Sequence, residues 1–346
     1  MSDPQTMVYV SHAASKEIYA LAMDRKSGKL DLVEKTLVLG TDKPSPTSLP
    51  MTQSRDGRFL YAQLRTEPFP VSTFAIDRPS GRLRHIATTP LDDQMAYLTT
   101  DRQGHYLIGA SAVGGMLALY PFDQVTGIPS REATHILDTE PKPHCVCIGP
   151  GNALYVPVLG GDAVLELALD PVTGTVSPIG PGLVMLGPKN GPRHMTTHPS
   201  ERWAYLITSK TGAIGHYAID PANGQLSEIG FVDLCASNGA ESAGGSDIHV
   251  TPDGKFLFGV IRKTNMLHGY RIDPGDGSLS LIGSFVTEQK ARAFAIDPRG
   301  RFLLAVGMES NAMTAHAIDP STGALDPVGH YPMGAQPNWI EIVDLV

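Results

Sequence analysis

Apolar positions along the chain fall in short runs closed by turn-forming residues, a punctuation that predicts strands rather than helices. Residues 193–232 show the layout, with predicted strands from Arg193 to Thr197, Ala204 to Thr208, Ala213 to Ile219 and Leu226 to Val232. The turn before the second of these strands recurs along the chain, as in Ser54-Arg-Asp-Gly-Arg-Phe-Leu-Tyr61, Thr251-Pro-Asp-Gly-Lys-Phe-Leu-Phe258 and Asp297-Pro-Arg-Gly-Arg-Phe-Leu-Leu304. Asp-Gly or Arg-Gly between two apolar runs predicts a hairpin, the glycine supplying positive φ.

A second phrase, an Asp with a Gly four residues on, occurs seven times, at Asp24, Asp77, Asp123, Asp170, Asp220, Asp273 and Asp319. The intervals are 53, 46, 47, 50, 53 and 46 residues, the period of a four-stranded propeller blade. The fold expected is therefore all-β: one domain over residues 1–346, a seven-bladed β-propeller with four antiparallel strands, A to D, in each blade. Met7 to Val10 reads as a strand B without an A, and Pro337 to Val343 as an A without a B, so the two ends are expected to complete one blade and close the ring.

Composition narrows the partners. A net charge of -8 disfavours nucleic acid and membrane surfaces, which recruit clustered Lys and Arg. The N-terminal residues lack a basic segment followed by an apolar run, and no apolar stretch approaches a membrane span, so a cytoplasmic protein is expected. Cys145, Cys147 and Cys235 show no ligand spacing and read as reduced thiols. No metal or cofactor is expected: the histidines come from different blades, arginines beside them would repel a cation, and no phosphate loop or nucleophile elbow is present. The expected partner is a small anionic molecule, and the expected state a monomer or weak homo-oligomer.

Strand A lines the channel of a propeller, and because A and B are antiparallel, the starts of A and the ends of B share one rim. The A starts supply Ser45, Thr47, Tyr97, His144, Arg193, His194, Asp247, His249, Arg292 and Trp339. The B ends supply His12, Arg65, Ser209, Lys210, Arg262 and Glu309. Burying Arg and His is costly without a counter-charge, so their convergence predicts a bound anion or an oxyanion formed in reaction. The opposite rim, carrying mostly Asp-Gly-type turns, is read as structural punctuation.

At Gly191-Pro-Arg-His-Met195, Ser246-Asp-Ile-His-Val-Thr-Pro-Asp-Gly254, Phe256 to Arg262, Ala291-Arg-Ala-Phe294 and Gln336-Pro-Asn-Trp339, the chain resembles the seven-bladed lactonase family. That family includes propeller-type 6-phosphogluconolactonase and the fungal carboxy-cis,cis-muconate lactonizing enzyme. The resemblance implies a site of one His and two Arg with a Glu, carried over to His144, Arg193 and Arg262. The Glu position is occupied here by Ser209, and the family's strand-A His of blade three by Tyr97.

Three functions follow. The first is hydrolysis of a sugar-acid lactone, with His144, Arg193 and Arg262 catalytic, Asp247 or His249 taking the second proton-transfer role, and Glu309 a weaker candidate for it. His194, Arg292, His12, Tyr97, Ser209, Lys210 and Trp339 would contact the substrate. The second keeps the same groups but forms or isomerises a lactone, and the third is a non-enzymatic propeller that binds a ligand or protein.

Overall fold

Each of the seven Asp-to-Gly phrases closes the turn between strands C and D of a blade, the glycine N–H bonding the Asp carbonyl at 2.7–2.9 Å. The Asp carboxylate takes backbone N–H groups inside the turn, as Asp123 does from Val125 and Thr126, which is the local reason for an Asp there. The glycine also serves the next contact outward. Gly277, at φ +78°, lies against the Trp203 indole of the preceding blade, where a Cβ would meet ring carbon at 2.6 Å. Its carbonyl accepts the Tyr205 hydroxyl at 2.7 Å, and Tyr9, Tyr61 and Tyr155 reach Gly81, Gly127 and Gly224 in the same way.

The computed structural model describes residues 5–44, 48–234 and 244–345; Ser45, Thr47 and Cys235 lie outside them. Among the described residues the strands form seven four-stranded antiparallel sheets, the blades of a ring. In blade one, strand A is Pro337–Leu345 and strand B is Gln5–His12, paired from Gln5↔Leu345 to His12↔Pro337, so the ends of the chain close the ring as expected. Blade five follows the predicted boundaries within a residue: Pro192–Thr197, Trp203–Thr208, Ala213–Ile219 and Leu226–Asp233.

The core lies between blades. Along strand B of blade one, Met7 and Tyr9 face blade two while Val8 and Val10 face blade seven, the period-two alternation of a strand buried on both faces. The same division gives a buried apolar cluster at each of the other blade junctions. Strands A of neighbouring blades touch around the axis, which leaves the starts of those strands and the bore between them for polar side chains.

One local device shapes that rim. Strand A pairs with B through a register shift at its second residue in blades one, five, six and seven, leaving Asn338, Arg193, Ser246 and Arg292 as the extra residues. A bulge re-aims a side chain that the regular pleat would send elsewhere. Blade four differs: its strand A is only Cys147–Ile148, and His144 sits before it, its N–H on the Pro157 carbonyl at 3.0 Å.

Candidate active site at the channel rim

Two consecutive residues of blade five carry the site. Arg193 and His194 are 2% and 5% exposed, and both lower the pKa of His144, which burial, Arg193, His194 and Arg292 together hold well below the ordinary histidine value. The His144 and His194 rings lie 5.5 Å apart. His144 Nδ1, His194 Nε2 and Arg193 Nη1 are buried without a hydrogen-bond partner among the described residues. Three polar atoms left open at one spot mark a place prepared for something polar.

The guanidinium groups explain what that something is. Burial, Arg262 and Arg292 pull Arg193 well below its normal pKa, and burial, Arg262 and Arg65 bring Arg292 down to about 9. Arg65, read from sequence only as a strand end, is thus a fourth member, its Nη1 donating to Ser48 Oγ at 2.7 Å. Asp247 is the carboxylate that offsets both Arg193 and Arg292. Asp93 offsets Arg65, and four clustered cations against two carboxylates favour an anionic ligand.

Asp247 is held from every side. Its Oδ1 accepts from His194 Nδ1 at 2.8 Å and its own blade's Ile248 N–H at 3.0 Å; its Oδ2 faces His249 Nε2 at 3.3 Å and accepts from Phe294 N–H at 3.1 Å. Burial acts to raise its pKa, but His249 and His194 outweigh it and leave Asp247 well below the carboxylate range. His194 falls to about 3 through burial and Arg193, so it is a neutral imidazole oriented by a carboxylate, with Nε2 unpartnered. His249, opposed by burial, is raised by Asp247.

Below this rim three rings from three blades meet across the bore: Tyr97 with His194 at 5.4 Å, Tyr97 with Trp339 at 5.2 Å, and His194 with Trp339 at 6.4 Å. They separate the arginines from a cavity of about 680 Å³, whose inner end is formed by Tyr97, His194, Asp247, His249, Trp339 and Glu341. The cavity's outer end lies among the A–B turns, at Arg55, Arg102 and Glu201. These turns are more than punctuation, which corrects the reading from sequence. Arg102 Nη2 reaches Glu201 Oε1 at 2.5 Å and the Gly149 carbonyl at 2.7 Å, tying three blades together around the cavity.

Other sequence candidates are placed elsewhere. His12 is fully buried against Tyr19, its Nδ1 on the Glu17 carbonyl, and burial lowers it to about 4. Lys210 faces Asp162 of blade four at 3.6 Å, where Asp162 also accepts the N–H groups of Lys189 and Gly191. Ser209 gives its backbone N–H to the Gly191 carbonyl, so both residues brace the loop that leads into Arg193. Glu309 is exposed and paired with Lys290 at 2.7 Å. Burial raises the Cys145 thiol to about 12 and Cys147 well above the ordinary thiol value, leaving neither as a nucleophile. No group of three or more His, Cys, Asp or Glu that could hold a metal ion occurs among the described residues.

Known proteins of similar sequence and structure identify the family. A 6-phosphogluconolactonase of Enterobacter sp. (strain 638) is 30% identical over 84% of this chain and 84% of its own length. A 6-phosphogluconolactonase of Yersinia pestis (strain Pestoides F) is 30% identical over 97% of both chains. The Pseudomonas aeruginosa periplasmic gluconolactonase superposes with a TM-score of 0.86 over 99% of both chains at 24% identity, a likeness of fold. The sequence model described as Lactonase, 7-bladed beta-propeller matches residues 7–342, and with that span covered, the chain belongs to the seven-bladed β-propeller lactonases.

Proposed function

We propose that this lactonase opens the ring of a phosphorylated sugar-acid lactone, 6-phosphogluconolactone being the substrate its relatives' names supply. The observation that carries the reading is the chain of four guanidiniums, Arg65, Arg292, Arg262 and Arg193, of which Arg193 and Arg292 act on His144 and are offset by Asp247. A phosphate dianion suits that imbalance better than an uncharged sugar does. The relatives are named for ring-opening enzymes, which favours hydrolysis over ring closure.

His144 is neutral at neutral pH and its Nδ1 is open, so it takes a proton from the attacking water as the water oxygen bonds to the lactone carbonyl carbon. The carbonyl π pair moves onto oxygen, where Arg193, the most deeply buried guanidinium, stabilises it. When the pair returns, the ring C–O bond breaks and the ring oxygen receives the proton from His144. Arg262 and Arg292, half-buried, hold the phosphate. The His194–Asp247 pair supplies the second proton-handling group that the family's Glu would provide, Ser209 having no such capacity.

The test is a comparison of 6-phosphoglucono-δ-lactone with glucono-δ-lactone, following acid release. A kcat/KM at least tenfold higher for the phosphorylated lactone is expected, with the preference collapsing in Arg262→Met. Equal turnover of both substrates, or no turnover of either by folded protein, would overturn the reading.

A further inference from the structure

Arg65 is the member of the guanidinium chain that ring opening leaves without a task. It follows strand B of blade two and is 8% exposed. Its Nη1 donates to Ser48 Oγ at 2.7 Å, and its Nε is buried without a hydrogen-bond partner among the described residues. Burial pulls its pKa below the usual arginine value, with Asp93 opposing. A buried guanidinium that is open at Nε and repels Arg292 works against stability, so its placement needs another reason.

The surroundings hold it firmly. Ser48, Gln63 and Ser111 are each 0% exposed. Gln63 ties the end of strand B in blade two to the entrance of blade three, its Nε2 donating to the Asp93 carbonyl at 2.9 Å and its Oε1 accepting from Met95 N–H at 2.7 Å. The Asp93 carboxylate is bonded within its own blade, Oδ1 to Gln94 N–H and Oδ2 to Ser111 Oγ, both at 2.7 Å. It therefore acts on Arg65 through its charge. Blade one stands between blades seven and two and presents the uncharged Asn338 at this rim, where its Oδ1 accepts Leu49 N–H at 2.9 Å and fixes the segment carrying Ser48. Arg292 and Arg65 are thus two like charges on either side of Asn338.

We propose that Arg65 is the far anchor of the phosphate subsite: the phosphoryl group bridges Arg65 of blade two and Arg292 of blade seven, with the lactone carbonyl lying toward Arg193 and His144. The inference rests on lactone opening at this rim. The order of influence along the chain gives the direction. His144 feels Arg193 and Arg292, Arg193 feels Arg262 and Arg292, and Arg65 acts on Arg292, so Arg65 stands at the end away from the reacting carbon. A phosphate dianion relieves the repulsion and offers acceptors to both forks. A lactone without phosphate does neither, which makes Arg65 a specificity residue and no part of the ring-opening chemistry.

The experiment compares Arg65→Met, Arg65→Lys and Asp93→Asn with wild type. Calorimetry measures inorganic phosphate binding, and steady-state kinetics follow 6-phosphoglucono-δ-lactone and glucono-δ-lactone. Arg65→Met should weaken phosphate and raise KM for the phosphorylated lactone on the order of 10- to 100-fold, the loss expected for a hydrogen bond to a charged group, with a far smaller change in kcat. Its kcat/KM for glucono-δ-lactone should fall by less than about threefold, because that substrate has no group to bridge the two forks. Arg65→Lys keeps the charge and loses the fork, so it should fall between Arg65→Met and wild type. Asp93→Asn removes a negative neighbour and should tighten phosphate about two- to fivefold. Equal losses on both lactones in Arg65→Met, with a lower melting temperature, would make Arg65 a structural brace and overturn the proposal. So would wild-type phosphate affinity in Arg65→Met, or weaker phosphate binding in Asp93→Asn. Phosphate binding that Arg65→Met abolishes, in a wild type that opens neither lactone, would leave the anchor standing and remove the lactonase chemistry from this rim.

Discussion

Arg193 and His194 follow one another in the chain yet serve the same centre, because the bulge between Pro192 and His194 removes one alternation of the pleat. Arg193 thereby joins the arginines while His194 stays on the bore. Its position costs stability, since a buried guanidinium with an open Nη1 faces two others. Arg193→Met should therefore lower kcat/KM roughly 10²–10³-fold, the usual loss for an oxyanion donor, while raising thermal stability by on the order of 1 kcal/mol. Calorimetry and steady-state kinetics on the same preparation check both. Retained turnover with a lower melting temperature would show that Arg193 is a wall residue.

The pH profile follows from the same field. Burial, with Arg193 and Arg292 beside it, disfavours the protonated form of His144, so its free-enzyme pKa lies under 6.5 and the acid limb of kcat/KM should fall well below that value. Arg292→Met removes one positive neighbour and should move the limb upward, toward 6.5. A limb that stays put, or moves down, would mean another group controls it.

Stability should respond to acid in a defined sense. His12, His144 and His194 are all lowered in the folded state from 6.5, chiefly by burial, His12 to about 4 and His194 to about 3. Below pH 6.5 the unfolded chain binds protons that the folded chain refuses, so stability falls as pH drops from there toward 4. Inorganic phosphate opposes this by binding the folded rim: at 100 times its Kd it should add about 2.7 kcal/mol. The melting temperature, followed from pH 7.5 to 5 with and without phosphate, tests both, and an unchanged value with phosphate in wild type would count against the anion site.

The fold was legible because its signals are local and repeated. Asp-to-Gly phrases, hairpin glycines and the unpaired strands at the two ends each announce themselves within a few residues, and seven copies leave one architecture. The site was legible where it sits at strand ends: His144, Arg193, His194, Asp247, Arg262 and Arg292 do converge. Strand position alone does not say which way a side chain turns, so His12 and Lys210 were grouped with residues they do not meet. Arg65 was read only as a strand end, because its coupling to Arg292 comes from blade seven and exists only once the ring has closed. The cavity was missed for a similar reason: Arg102 and Glu201 sit in turns that look generic until the ring brings them together.

The repeated glycine makes a prediction that separates scaffold from chemistry. Tyr205 donates to the Gly277 carbonyl across the junction of blades five and six, far from the rim arginines in function though not in chain distance. Tyr205→Phe leaves the ring packing and removes one buried hydrogen bond, so it should cost about 1–3 kcal/mol with kcat within about twofold of wild type. Gly277→Ala is the harsher change, because φ is +78° and the new Cβ would meet Trp203 ring carbon at 2.6 Å, so blade six must move away from blade five. Denaturant unfolding should rank wild type above Tyr205→Phe and Tyr205→Phe above Gly277→Ala. The reverse order would mean that the hydroxyl, and not the close approach of the turn, holds neighbouring blades together. In that case Tyr9→Phe, Tyr61→Phe and Tyr155→Phe should be equally severe, since each makes the same bond at its own junction.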